Sequence, residues 1–244
     1  MGDMMKHILL FIVLIFTPAA SHAGDHTELF EKISIMAKEG DAEAAYHLGM
    51  LYNNGIGTQQ NIEEAYKWFL KSAAGDDPLG AYKLGCYYGG QAGDVVEYDK
   101  EKALHYKLIA AKSGYTRAQY DVGFMLVKKE ETETGIHYFT LAAKQGHVPS
   151  LQVLAYLHEQ GTAIKKDLAR AYAYISLADI VRFGDRKPKT MIKLGMMKSE
   201  MTEKQIALGK RIIAEWIVDE TPLTTMAYDG LNRSYEHAGL PLPE

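Results

Sequence analysis

AAYHLGMLYNNGIGTQQNIEEAYKWFLKSAAG, residues 44–75, is written four times along the chain, with changes mainly in its middle. The copies align on Leu48-Gly49, Leu84-Gly85, Val122-Gly123 and Leu154-Ala155, and each carries a second small residue, at Ala65, Ala103, Gly135 and Ala171. From that second landmark to the next copy's first, the interval is 20 residues all three times (65 to 85, 103 to 123, 135 to 155). Within a copy the distance between the landmarks is 16, 18, 12 and 16 residues. A constant interval marks packed helices and a fixed turn; a variable one marks a surface loop where insertions cost little. The unit is therefore helix A, elastic loop, helix B and rigid turn, followed by helix A of the next unit.

The residues within the unit agree. In helix A of the first copy, Ala44, Ala45, Leu48, Leu51 and Tyr52 recur at helical spacing, and helix B carries Ile62, Ala65, Tyr66, Phe69 and Ala73 in the same way. A mid-helix glycine costs about 1 kcal/mol against alanine, so its recurrence at Gly49, Gly85 and Gly123 asks for close helix crossing. Helix B is expected to end at Gly75, Gly114 or Gly146 in a left-handed C-terminal cap. Helices this short cannot bury their own apolar faces, so the units must stack.

The pattern Ala-x-x-x-Leu-Gly-x-x-Tyr, a Gly-x-Gly loop, Lys-Ala-x-x-Trp/Tyr and Ala-Ala-x-x-Gly resembles the Sel1-like repeat, a relative of the tetratricopeptide repeat. It is carried by Ala44, Leu48, Gly49, Tyr52, Gly55, Gly57, Ala65 and Trp68 in the first copy. The second carries Leu84, Gly85, Tyr88, Asp99, Lys102, Ala103, Tyr106, Ala110, Ala111 and Gly114. The third copy has residues 128–133 where the loop glycines should be, and the fourth has Ala155 in place of glycine. The resemblance implies an all-α fold, a right-handed α-solenoid of antiparallel helix pairs.

Taken in order, the chain begins with Lys6, an apolar run over residues 8–16 too short to span a bilayer, and Ser21-His22-Ala23. This reads as a signal peptide over residues 1–23, cleaved after Ala23, with an N-terminal anchor as the alternative. Residues 24–40 read as a lone helix B that caps the stack. Four repeats follow over 41–185, at about 41–76, 77–114, 115–146 and 147–185. Residues 186–220 read as closing helices, the last opened by the capping box of Thr202 and Gln205. Pro222, Pro241 and Pro243 make residues 221–244 read as an extended tail.

Composition and motifs narrow the function classes. With 27 basic against 31 acidic residues and no basic stripe, the chain offers no field to attract nucleic acid. A single cysteine, Cys86, excludes an internal disulfide framework, unlike the cysteine-rich exported members of the resembled family. Some of those members are described as binding or hydrolysing β-lactams. No serine here is followed by lysine three residues later, so that nucleophile and base pairing is missing. After His158-Glu159 the place of a second zinc-ligating histidine is taken by Thr162, and Gly55-Ile56-Gly57 lacks a dinucleotide site's third glycine. No catalytic residue, metal or cofactor is expected.

What remains is a surface. On a helical wheel at about 100° per residue, Tyr46, Met50 and Asn53 lie opposite Leu48. The equivalents are Tyr82 and Cys86, then Tyr120 and Phe124, then Gln152 and Tyr156. In the tetratricopeptide fold such helix A positions line a concave groove, so the resemblance implies a groove for a partner protein or peptide, with Tyr46, Tyr82 and Tyr120 in a column. The same rings could instead fill space between neighbouring A helices. The sequence is thus expected to give a monomeric, noncatalytic binding module, periplasmic or secreted, without membrane insertion of the mature chain. The rival class is an envelope hydrolase acting on β-lactam or cell-wall substrates.

Overall fold

The computed structural model describes residues 26–161 and 163–243, so the apolar run and the expected cleavage point lie outside the described residues. Helix α1 (Thr27–Lys38) precedes four antiparallel pairs: α2 (Ala42–Asn54) with α3 (Ile62–Ala74), α4 (Pro78–Cys86) with α5 (Lys100–Lys112), α6 (Thr116–Lys128) with α7 (Thr132–Lys144), and α8 (Val148–Gln160) with α9 (Leu168–Phe183). Each B helix also packs on the next A helix, which makes the pairs one continuous stack. Helix α1 lies on α2 as a half repeat, and α10 (Pro188–Lys198) and α11 (Glu203–Ala214) lie on α9.

Local chemistry sets these boundaries. The side chains of Asp41, Asn61, Asp77, Asp99 and Asp167 accept hydrogen bonds from first-turn amides of α2, α3, α4, α5 and α9. Such caps typically contribute about 1 kcal/mol each. Thr202 and Gln205 form the reciprocal capping box that opens α11. The small residues let the helices cross closely: a Cβ on Gly49 would sit 2.5 Å from the Phe69 ring, and one on Gly123 2.7 Å from Phe139.

One expected cap takes another form. Gly114 and Gly146 adopt positive φ, but Gly75 has φ −91°, and Asp76 takes the left-handed conformation at φ 63°. Gly75 is required for space instead, since a Cβ there would meet that of Ala42 at 2.6 Å.

The C-terminal segment corrects the sequence expectation. The segment expected as an extended tail, residues 221–244, contains α12 (Pro222–Asp229) and α13 (Leu231–His237) among its described residues 221–243. Pro222 occupies the first turn of α12, where its missing amide hydrogen costs nothing, and Thr221 caps it. The segment runs back along the turns between repeats. Val218 lies beside Gly146, and the Asp219 amide donates to the Lys144 carbonyl at 3.0 Å. The Thr221 hydroxyl then donates to the Gly114 carbonyl at 3.0 Å, and the Thr116 amide donates to Thr224 Oγ1 at 3.0 Å. Leu223 and Ala227 pack on the core around Tyr82 and Tyr115, and Leu231 and Tyr235 on that around Leu29 and Leu48. A strap thus joins the last repeat to the N-terminal cap.

Candidate functional site

The A helices present their tyrosines by a rule that repeats. Tyr82 of α4 stacks edge-on against Tyr115, the residue before α6, with ring centroids 4.9 Å apart. Tyr120 of α6 meets His147, the residue before α8, at 4.7 Å. Each ring therefore bridges to the start of the next A helix, and what lies over it decides whether it is surface or core.

Over the first two repeats the strap and the neighbouring helices cover the column. Tyr82 is only 8% exposed and Cys86 3%, so both belong to the core and not to an open groove. The Tyr82 hydroxyl donates to Asp121 Oδ2 at 3.2 Å, and Lys107 pairs with the same oxygen at 2.6 Å. Burial, the largest influence, raises the Cys86 thiol pKa, which disfavours thiolate chemistry there. Tyr46 and Met50 are half-buried and face Leu231 and Ser234 across a cavity of about 60 Å³. Asn53 Oδ1 accepts from the Tyr87 hydroxyl at 2.6 Å, which takes up its carbonyl group.

Over the last two repeats the face is open. Tyr120, Phe124, Gln152 and Tyr156 come together with Val127, Pro149 and Val153 around a shallow cavity of about 350 Å³ between α6 and α8. Phe124 stands edge-on to Tyr120 at 5.0 Å and to Phe139 at 5.0 Å, so the floor is a rigid aromatic cluster. Tyr156 is 60% exposed at its rim. The His147 side chain beneath Tyr120 has its pKa lowered, first by burial and then by the Arg117 charge, so near neutral pH the wall carries no added cation. An aromatic floor with tyrosine at its edge offers an apolar surface with a hydrogen-bonding rim.

Among the described residues there is no group of three or more His, Cys, Asp or Glu side chains that could hold a metal ion. Nor is any described helix long and apolar enough to cross a membrane.

Two groups were not found by sequence reasoning. Tyr66, Tyr88 and Tyr106 form a ladder, with Tyr88 and Tyr106 stacked at 5.7 Å and the Tyr66 and Tyr88 hydroxyls 2.8 Å apart. The separation of 22 positions between Tyr66 and Tyr88 and the irregular turn after α4 hide it from any helical wheel. The second is the latch of the strap. Arg233 donates to Glu43 at 2.7 Å, Ser234 shares a hydrogen bond with His47 at 2.9 Å, and His237 one with Asp41 at 2.9 Å.

Comparison with known proteins agrees with this architecture. The family model described as Sel1 repeat matches residues 42–77, 78–115, 116–147 and 149–178. The chain is 28% identical over 166 residues to the chitin synthase regulator SKT5 of Saccharomyces cerevisiae, covering 63% of this chain and 24% of that protein. It is 44% identical over 45 residues to the DAP3-binding cell death enhancer 1 of Rattus norvegicus, covering 18% of this chain and 9% of that protein. It therefore spans about a quarter or less of these relatives. Among solved structures, a Sel1 repeat protein from Oxalobacter formigenes superposes with a TM-score of 0.60 at 23% identity, over 79% of this chain and 77% of that one. A protective antigen of uropathogenic Escherichia coli strains, described as displaying an SLR fold, gives 0.62 at 20% identity, over 88% of this chain and 44% of that one.

Proposed function

The chain belongs to the Sel1 repeat family, and from that premise we propose that it is a noncatalytic module that binds a partner protein or peptide through the open face of α6 and α8. The observation that carries this is the aromatic floor of Tyr120 and Phe124 with Tyr156 exposed at its edge. A repeat stack buries its apolar side chains against its neighbours, so an aromatic cluster left uncovered is a cost unless something docks on it. At the equivalent positions Tyr82 and Cys86 are buried and Tyr46 and Met50 are half-buried under the chain's own C-terminal segment, which favours the last two repeats. The export pattern of residues 1–23 supports action in the periplasm or beyond, in the cell envelope or on a secreted target.

The test is site-specific crosslinking. A photoreactive residue at Gln152, introduced into the full chain in its native compartment, should recover a discrete partner. Tyr156→Ala should lose that partner while the melting temperature stays where it was. Recovery of the same partner by Tyr156→Ala, or crosslinking only from positions on the strap, would move the binding site off this face.

A further inference from the structure

The end helix α10 has its amphipathicity turned outward. Leu194 and Met197 are buried against the core around Tyr172 of α9, which leaves the opposite sector to solvent. At about 100° per residue the middle of that sector contains Pro188, Ile192, Gly195 and Met196, with Met191 at one edge and Lys189 at the other. Ile192 is 67% exposed and Met196 70%, and beyond its chain neighbours and the backbone of its own helix no atom lies within 4 Å of where a Gly195 side chain would begin. A helix on the surface of a stack normally shows water its charged face, so this sector is an unpartnered apolar surface.

Its surroundings say what covers it. Residues 182–198 hold Arg182, Arg186, Lys187, Lys189, Lys193 and Lys198 against one acid, Asp185, a net of +5 in a chain whose total is −4, so the remainder carries −9. Exposed Phe183 ends α9 just before the loop that leads into α10, with Lys187 Nζ 4.1 Å and the Arg182 guanidinium 5.2 Å from its ring centre. Lys193 is paired with Glu159 and Lys198 lies over the Tyr172 ring, so the exposed Arg182, Arg186, Lys187 and Lys189 supply the positive charge beside the apolar sector. A second copy would bring two such positive faces together and be repelled. An acidic peptide would meet the charges but would find a convex row of methionine and isoleucine tips with no groove to seat its own side chains. A lipid interface matches both features, since acyl chains receive the apolar tips and anionic headgroups the lysine and arginine ring.

We propose that α10 and the loop before it form a docking tip for an anionic membrane surface, distinct from the partner-binding face of α6 and α8. The test is co-sedimentation of the chain from Gly24 onward, the mature form expected after cleavage, with phosphatidylcholine vesicles, with and without phosphatidylglycerol. The apolar run 8–16 is then absent from every form. The parent chain should favour the anionic vesicles and lose that preference as salt is raised. Ile192→Glu/Met196→Glu and Lys187→Glu/Lys189→Glu should each weaken binding about tenfold or more. Ile192→Leu/Met196→Leu should retain it, and all three should melt with the parent. Equal binding to neutral and anionic vesicles, or glutamate variants that bind as the parent does, would overturn the proposal. So would binding of polyglutamate by a parent chain that ignores both kinds of vesicle, an outcome that assigns the tip to an acidic peptide.

Discussion

Gly49 and Gly195 are both mid-helix glycines, and the chain uses them for opposite reasons. A methyl group on Gly49 would lie 2.5 Å from the Phe69 ring inside the α2–α3 crossing, whereas Gly195 faces open space. Overpacking of that kind typically costs about 1 to 3 kcal/mol, against about 1 kcal/mol returned by alanine's helix propensity. Gly49→Ala should therefore lower the urea midpoint, and Gly195→Ala should raise it by the equivalent of up to about 1 kcal/mol. A stabilised Gly49→Ala would mean that α2 and α3 can move apart freely. The tyrosines divide in the same manner. Tyr82→Ala removes a buried ring and should cost about 3 to 5 kcal/mol, as large aromatic truncations do. Tyr156→Ala should stay within about 0.5 kcal/mol, as exposed substitutions do, and denaturation of the two variants side by side checks both. The glycine role was legible in the sequence because a residue that opposes helix formation recurs at one position of three copies. The division of the tyrosines was not. Tyr82 and Tyr120 occupy the same helical angle and make the same kind of contact to the next A helix, and they differ only in what other elements place above them.

Among the elements, α1 to α11 were legible and α12 and α13 were not, for a physical reason. The constant interval of 20 residues between copies reflects packing that repeats, and repetition makes the pattern visible in one chain. Helices α12 and α13 are 8 and 7 residues long, too short to be stable on their own. Their stability comes from residues about 110 to 200 positions away, which no local pattern records. Glu43 shows how the latch holds α13. His47, whose Nε2 lies 3.5 Å from Glu43 Oε1, is the largest influence on its carboxyl group; burial opposes it, and Arg233 and His237 add to it, so its pKa falls from 4.5 to about 2. A carboxylate with a depressed folded pKa stabilises the fold above its unfolded pKa, and that contribution is lost as pH falls through the folded one. The latch should therefore weaken between about pH 4.5 and about pH 2, and Glu43→Gln should lower the melting temperature at neutral pH and flatten its acid slope in that window. An unchanged slope in Glu43→Gln would place the acid sensitivity elsewhere.

For the whole molecule the strap changes the kind of protein this is. A repeat stack is nearly one-dimensional: each unit touches only its neighbours, and unfolding can begin at either end and stop part way. Here the last repeat is tied to the first through Thr221 and Thr224 at the middle turns and through Arg233, Ser234 and His237 at α2. Fraying of the N-terminal cap must then break contacts made by residues that follow the last repeat, so the two ends should unfold together. The chain carries its own reporters for this, because its two tryptophans lie at opposite ends: Trp68 in the first repeat's core and Trp216 beside Tyr174 of the last. In the full chain, the variants Trp68→Phe and Trp216→Phe should give fluorescence transitions in urea with the same midpoint once their own stability changes are matched by circular dichroism. After truncation at Asp219, which spares both tryptophans and removes α12 and α13, the two signals should separate, the Trp68 end melting first because α1 and α2 lose the cover of Leu231 and Tyr235. The slope of the overall transition should fall with them, since less surface is exposed in each step. Coincident, equally steep transitions in the truncated chain would show that stacking alone makes the array cooperative, and that the strap serves only to cover the first half of the tyrosine column.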